Sequence, residues 1–255
     1  MKGHSARKHS KFSASGSERW FNCPGSVELS EGLPDKDSIW SKEGTKAHEV
    51  LEKTMLAAKS IGGHKIGHVR FGKHIPKEMV SHAMRAANFI LGRHAKAPGS
   101  ELLVETRISL DFIHPEAFGT FDGAVVDHFG TLDVFDYKYG AGHSVSPGTV
   151  KTPNLQMVFY GLGLAHRYDW NFKRVRLWII QPRIRGYDGP TFLEMQTGQL
   201  KAFVPTFKKA VKRVEREPDT YVEGSWCHWC KAKGKCPLKK QTRLASVKAA
   251  FANAD

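Results

Sequence analysis

The stretch Gly119–Lys138, GTFDGAVVDHFGTLDVFDYK, limits the possible folds of this chain more than any other. Two short apolar segments, Ala124–Val126 and Leu132–Phe135, flank a turn at Phe129-Gly130-Thr131, the pattern of a β-hairpin. Each segment has a carboxylate at or near one end, Asp122 and Asp136, and Lys138 follows Asp136 by two. Alternating strand side chains put 136 and 138 on one face. An ammonium beside a carboxylate, with a second carboxylate across the hairpin, is a constellation able to bind a divalent metal and polarise a water.

The rest of the chain has to bury that hairpin and present its charged end. At 255 residues and 40% hydrophobic content it has material for one substantial core. No apolar run approaches the roughly 20 residues of a membrane helix. The N-terminus, MKGHSARKHSKFSASGS, is basic but lacks the apolar segment of a secretory signal, so the expectation is a soluble cytoplasmic protein. The net charge of +14, from 39 Lys and Arg against 25 Asp and Glu, favours a polyanionic partner. Charge does not choose among DNA, RNA and an anionic membrane surface.

Residues 1–12 read as a basic flexible tail, and Glu18–Phe21 as a helical turn ahead of Cys23. Residues 43–59 have helical periodicity, with Ala47, Val50, Leu51, Met55 and Leu56 along one side. Thr45 is the expected N-cap, placing His48 in the first turn, where the helix dipole disfavours imidazolium and leaves a ring able to ligate metal. His64, His68 and His74 have no metal spacing and read as surface. A second helix is expected from Pro76 to about His94, then a strand at Leu102–Leu110. Glu105 in that strand is either a third site carboxylate or an exposed strand residue, with the balance towards the second. The loop 139–154, rich in Gly, Ser and Pro, belongs at the mouth of the site, where His143 and Lys151 can touch a substrate backbone. Residues 155–168 read as helix despite Gly161 and Gly163, with Gln156 and Tyr160 four apart on one face. A central strand at 174–181, a turn and short strand at 186–192, and a helix over 197–217, with Pro205 at its start or at a kink, complete the elements. The run Lys208, Lys209, Lys212, Arg213 and Arg216 reads as a solvated helix face, or as a phosphate track.

Four cysteines occur: Cys23, then Cys227, Cys230 and Cys236 as C-x2-C-x5-C followed by proline. This spacing favours metal ligation over disulfides, and four thiolates suit either zinc or an iron–sulfur cluster. Such a clasp joins the N- and C-terminal segments. Trp226, Trp229 and the lysines around them either shield it or bind DNA by stacking and charge.

Taken together, these motifs resemble the RecB-like branch of the PD-(D/E)XK nucleases, in particular the iron–sulfur branch of CRISPR-associated exonucleases and AddB-type nuclease domains. The resemblance rests on His48 in GTKAHEVLE, Asp122 in GTFD, Asp136 and Lys138 in DYK, Gln156 and Tyr160 in QMVFY, and one early plus three late cysteines. It implies an α/β restriction-endonuclease-like core, a central mixed sheet flanked by helices and closed by the four-cysteine clasp, as a single domain over 13–240 with a tail at 241–255. It implies a DNA exonuclease of phage or prokaryotic recombination and repair, acting on single- or double-stranded DNA beside a recombination or single-strand-annealing partner. One or two Mg²⁺ or Mn²⁺ ions are expected on His48, Asp122, Asp136 and the Tyr137 carbonyl. Asp122, Asp136, Lys138, Gln156 and Tyr160 are the expected catalytic set. Cys23, Cys227, Cys230 and Cys236 are expected to hold a [4Fe-4S] cluster, with Zn²⁺ as the alternative, and His143, Lys151 and Trp229 to contact DNA. The middle carboxylate is Asp where many members of the superfamily have Glu, and no G-x-x-x-x-G-K-[ST] helicase motif is present. The competing reading is an inactive, metal-clasped nucleic-acid-binding or scaffold protein.

Overall fold

The computed structural model describes residues 10–34, 38–63, 66, 69–127 and 129–242. Residues 1–9 and 243–255 of the two expected tails, with His64 and His68, lie outside them. A five-stranded mixed sheet forms the centre, its strands lying side by side in sequence order. β1 (Glu101–Ser109), β2 (Phe118–Asp127) and β3 (Thr131–Tyr137) make an antiparallel meander. β4 (Arg174–Ile180) runs parallel to β3, and β5 (Thr191–Gln196) antiparallel to β4. A parallel pair needs a crossover, and α5 (Leu155–Arg167) supplies it. β3 is buried on both faces from Leu132 to Tyr137, as its near-continuous apolar run requires.

Helices cover both faces. α3 (Ile39–Lys59) and α4 (Lys77–Ala95) bury Val50, Leu51, Met55 and Ile90 against Phe135 and Tyr137. On the other face α1 (Ser17–Asn22), α2 (Ser26–Ser30), α5, α6 (Thr197–Lys201) and α7 (Phe203–Arg216) enclose a second core around Phe121, Val134, Phe159 and Phe207. The glycines of α5 have a packing reason. A Cβ on Gly163 would lie 2.4 Å from Ile108 Cγ1 and 2.9 Å from Leu110 Cδ1, so only glycine lets the helix lie this close to β1. Among the described residues no helix is long and apolar enough to cross a membrane.

Three expectations are corrected. The N-terminal tail is shorter than 1–12, because Phe12 is fully buried against Trp20 (ring centroids 5.4 Å apart) and its backbone N–H donates to Glu116 O. At the other end, residues 237–242 are helical. α3 begins at Ile39, capped by Ser38, whose hydroxyl accepts from Ser41 N while Ser41 Oγ accepts from Ser38 N. Thr45 is therefore internal, donating its hydroxyl to Ser41 O at 3.0 Å, and His48 lies in the third turn, beyond the reach of the N-terminal dipole. Pro205 fits without a kink in the first turn of α7.

Phe207 joins α7 to the N-terminal segment through Trp20 (5.8 Å), Phe21 (5.3 Å) and Phe159 (6.3 Å). Replacing it with alanine is expected to cost about 3–5 kcal/mol of unfolding free energy, read from the urea midpoint. A cost below about 1 kcal/mol would mean that the N-terminal segment is not held through this ring.

Candidate active site

The registers of β1, β2 and β3 set three carboxylates in a row. Val104–Gly123 and Thr106–Phe121 bracket the position where Glu105 faces Asp122. One step beyond the last β2–β3 pair, Gly123–Phe135, Asp122 comes beside Asp136. The strands are distorted together here. Leu103 and Ile108 of β1, five residues apart, face the same core, as do Phe121 and Ala124 of β2, three apart, so alternation slips by one on each strand. Glu105 adopts φ 41°, a left-handed conformation that costs an L-residue energy and is held only by its surroundings.

That distortion turns Asp122 towards α3. His48 Nδ1 lies 2.6 Å from Asp122 Oδ1, and the Tyr137 backbone N–H donates to Oδ2 at 2.7 Å. Asp136 faces α5, where Gln156 Nε2 donates to its Oδ1 at 3.2 Å. Lys138 Nζ stands 2.7 Å from Asp136 Oδ2 and donates to Gln156 Oε1 at 3.0 Å. Gln156 Nε2 also donates to Tyr160 OH at 3.0 Å. Six expected site residues thus form two linked groups, His48–Asp122 and Asp136–Lys138–Gln156–Tyr160, joined through the adjacent strands. The Lys138–Asp136 contact is a close ion pair to the buried Oδ2.

Charge is unevenly distributed over this site. Burial opposes ionisation of Asp122, but His48, the Tyr137 N–H and Lys138 outweigh it and hold its carboxyl below the usual range. Burial dominates at Asp136, aided by the Asp122 charge, and raises its carboxyl despite Lys138. Burial also works against the imidazolium of His48, yet the adjacent Asp122 prevails and raises it. Tyr160 is pushed well up by burial and then by Asp136, so it enters the network as a neutral hydroxyl. His48 and Lys138 keep 29% and 26% of their side-chain surface exposed, so the network opens to solvent at its cationic edge.

The remaining expected residues lie elsewhere. His143 is exposed, with its ring 6.1 Å from Trp229 and 5.3 Å from His228. Lys151 sits on the exposed turn between Thr149 and Thr152, whose hydroxyls lie 3.0 Å apart. Cys23, Cys227, Cys230 and Cys236 are all free thiols and border one small pocket together with Arg19, Tyr221 and Trp226. Among the described residues, however, no three His, Cys, Asp or Glu side chains gather as a metal-binding set. The closed four-cysteine clasp expected from the spacing is not formed; the four thiols share a pocket but not a coordination sphere.

Two residues carry more than the sequence indicated. Glu105 is half-buried at the strained position facing Asp122, not exposed, and the slip in alternation through FDGAVV was its only signal. Gln181, 5% exposed, clamps the loop after β3: its Nε2 donates to Gly140 O (2.8 Å) and His143 O (2.7 Å), and its Oε1 accepts from Val145 N (2.9 Å).

The chain belongs to the family described as "Protein of unknown function (DUF2800)", which matches residues 9–255. Among solved structures it is similar to SSO0001, with 12% identity over 92% of this chain and 89% of that one and a TM-score of 0.39. It is also similar to a candidate exonuclease from Eubacterium rectale, with 11% identity over 88% of this chain and 89% of that one and a TM-score of 0.44.

Because Gln156 bonds to Asp136, Lys138 and Tyr160 at once, Gln156→Ala should lower stability by about 1–3 kcal/mol, measured by urea denaturation, through the buried partners it leaves unsatisfied. An unchanged midpoint would show that the network is replaced by water without cost.

Proposed function

We propose that this member of the DUF2800 family is a divalent-metal-dependent deoxyribonuclease of the PD-(D/E)XK kind, acting as an exonuclease. The observation that carries the reading is the convergence of Asp122, Asp136 and Lys138, from two strands, with His48 on α3 and Gln156 on α5. A buried carboxylate next to a partly buried one, beside a lysine, has little structural value as a pair, since burial and mutual repulsion raise Asp136. A bound cation resolves that conflict.

The donor types, carboxylate and imidazole, suit a hard divalent ion such as Mg²⁺ or Mn²⁺, while among the described residues no three such side chains are gathered as a ligand set in this structure. Asp136 Oδ2 is buried against Lys138 Nζ at 2.7 Å, and Asp122 lies one strand away. Asp122, Asp136, the Tyr137 carbonyl and His48 would hold the ion. When bound, such an ion lowers the pKa of a water and offsets charge developing on the phosphate. Lys138, held by Asp136 and Gln156, presents its ammonium to the phosphoryl oxygens and stabilises the negative charge of the transition state. Gln156 fixes Lys138 and Asp136 relative to each other, and Tyr160 supports Gln156. The net charge of +14 favours association of the chain with a polyanion such as DNA. The four cysteines are not gathered as a ligand set among the described residues, and no step of the reaction is assigned to them.

Wild type and Lys138→Ala are to be compared on DNA labelled at either end, with Mg²⁺ or Mn²⁺. Wild type should release label progressively from one end, and Lys138→Ala should be about 10²- to 10³-fold slower while still binding DNA. Equal cleavage by the two proteins, or none by wild type with either ion, would overturn the reading.

A further inference from the structure

Trp229 leaves 74% of its surface in water, although it is among the largest apolar side chains of the chain. Shielding the thiols does not account for it. Trp226 has that role: it borders the cysteine pocket and donates its indole N–H to Val222 O at 2.9 Å, whereas Trp229 is not among the residues lining that pocket. Trp229 instead faces two imidazoles from different parts of the chain. His228 lies 4.6 Å away at 80°, and His143 6.1 Å away at 86°. Both meet the indole edge-on, so neither lies flat over it.

The platform is fixed on both sides. Trp229 closes a short 3-10 helix, Ser225–Trp229, between two cysteines. His143 is carried by the loop that Gln181 clamps, and Gln181 follows β4, whose Ile180 O accepts from Lys138 N at 2.8 Å. His143 is only five residues from Lys138, a length of chain spanning at most about 18 Å. Lys233 and Lys235, both exposed, follow Trp229 closely in sequence. A flat aromatic face with flanking imidazoles matches the face of a nucleobase; every base has a π-face, so such a surface does not select sequence.

We propose that Trp229, flanked by His143 and His228, is a stacking station for an unpaired base of single-stranded nucleic acid on its way to the carboxylate site. The proposal rests on the nuclease reading for where the strand leads. Bases in an intact duplex are stacked on their neighbours and cannot reach the indole face, so the station confers a preference for single strands or frayed ends.

The test is binding, measured by fluorescence anisotropy on labelled oligo(dT) and on a blunt duplex at several salt concentrations. All proteins carry Lys138→Ala so that the DNA is not consumed. Adding Trp229→Ala should weaken oligo(dT) binding roughly tenfold, Trp229→Phe should restore most of it, and duplex binding should be unchanged. The salt dependence should keep its slope, because the indole neutralises no phosphate. Unchanged affinity in Trp229→Ala, or an equal loss on single strand and duplex, would overturn the proposal. Selective loss of oligo(dT) binding, combined with a wild type that cleaves nothing, would remove the nuclease reading and leave the stacking station standing.

Discussion

Asp122 is bound on both of its oxygens, by the imidazole of His48 and by the Tyr137 backbone N–H, and the organisation of the site follows from this. The two bonds tie β2 to α3 on one face and to β3 at its side. They hold an ionised carboxylate in a largely enclosed place, where pairing and hydrogen bonds offset its lost hydration. Its charge then bears on Asp136 one strand away, whose carboxyl is raised by burial and by that neighbour. One carboxylate is thus held below the usual range and its neighbour, a strand away, above it.

The surrounding fold serves this pair. The parallel β3–β4 step brings α5 over the sheet, and the small residues of α5 allow Gln156 to reach Asp136 and Lys138 at hydrogen-bond distance. Matched slips in β1 and β2, with Glu105 held in a left-handed conformation, turn Asp122 out of the regular pleat towards α3. A regular strand would direct that carboxylate into the core with Ala124 and Val126. The distortion is the local cost of presenting charge from a buried sheet.

Much of this was legible in the sequence, because short spacings translate directly into geometry. Asp136 and Lys138, two apart, do contact one side-chain amide, and Gln156 and Tyr160, four apart, are hydrogen-bonded. Features set by tertiary packing were hidden. The start of α3 was obscured because Ile39 and Trp40 are 83% and 75% exposed and give no inward apolar pattern, and because its capping box closes on Ser41 where Glu or Gln is the usual signal. Phe12 sits in a stretch whose composition is that of a tail, and its burial depends on Trp20. The cysteine spacing named four residues that do border one pocket, but spacing does not fix how closely thiols approach.

The central claim is that Asp122 and Asp136 jointly hold a divalent ion, and Mn²⁺ binding followed by electron paramagnetic resonance tests it without requiring turnover. The free-ion signal should fall on titration with wild-type protein. Asp122→Asn and Asp136→Asn should each leave it nearly undiminished while keeping wild-type far-UV circular dichroism. Equal depletion of the signal by wild type and both variants would contradict the account.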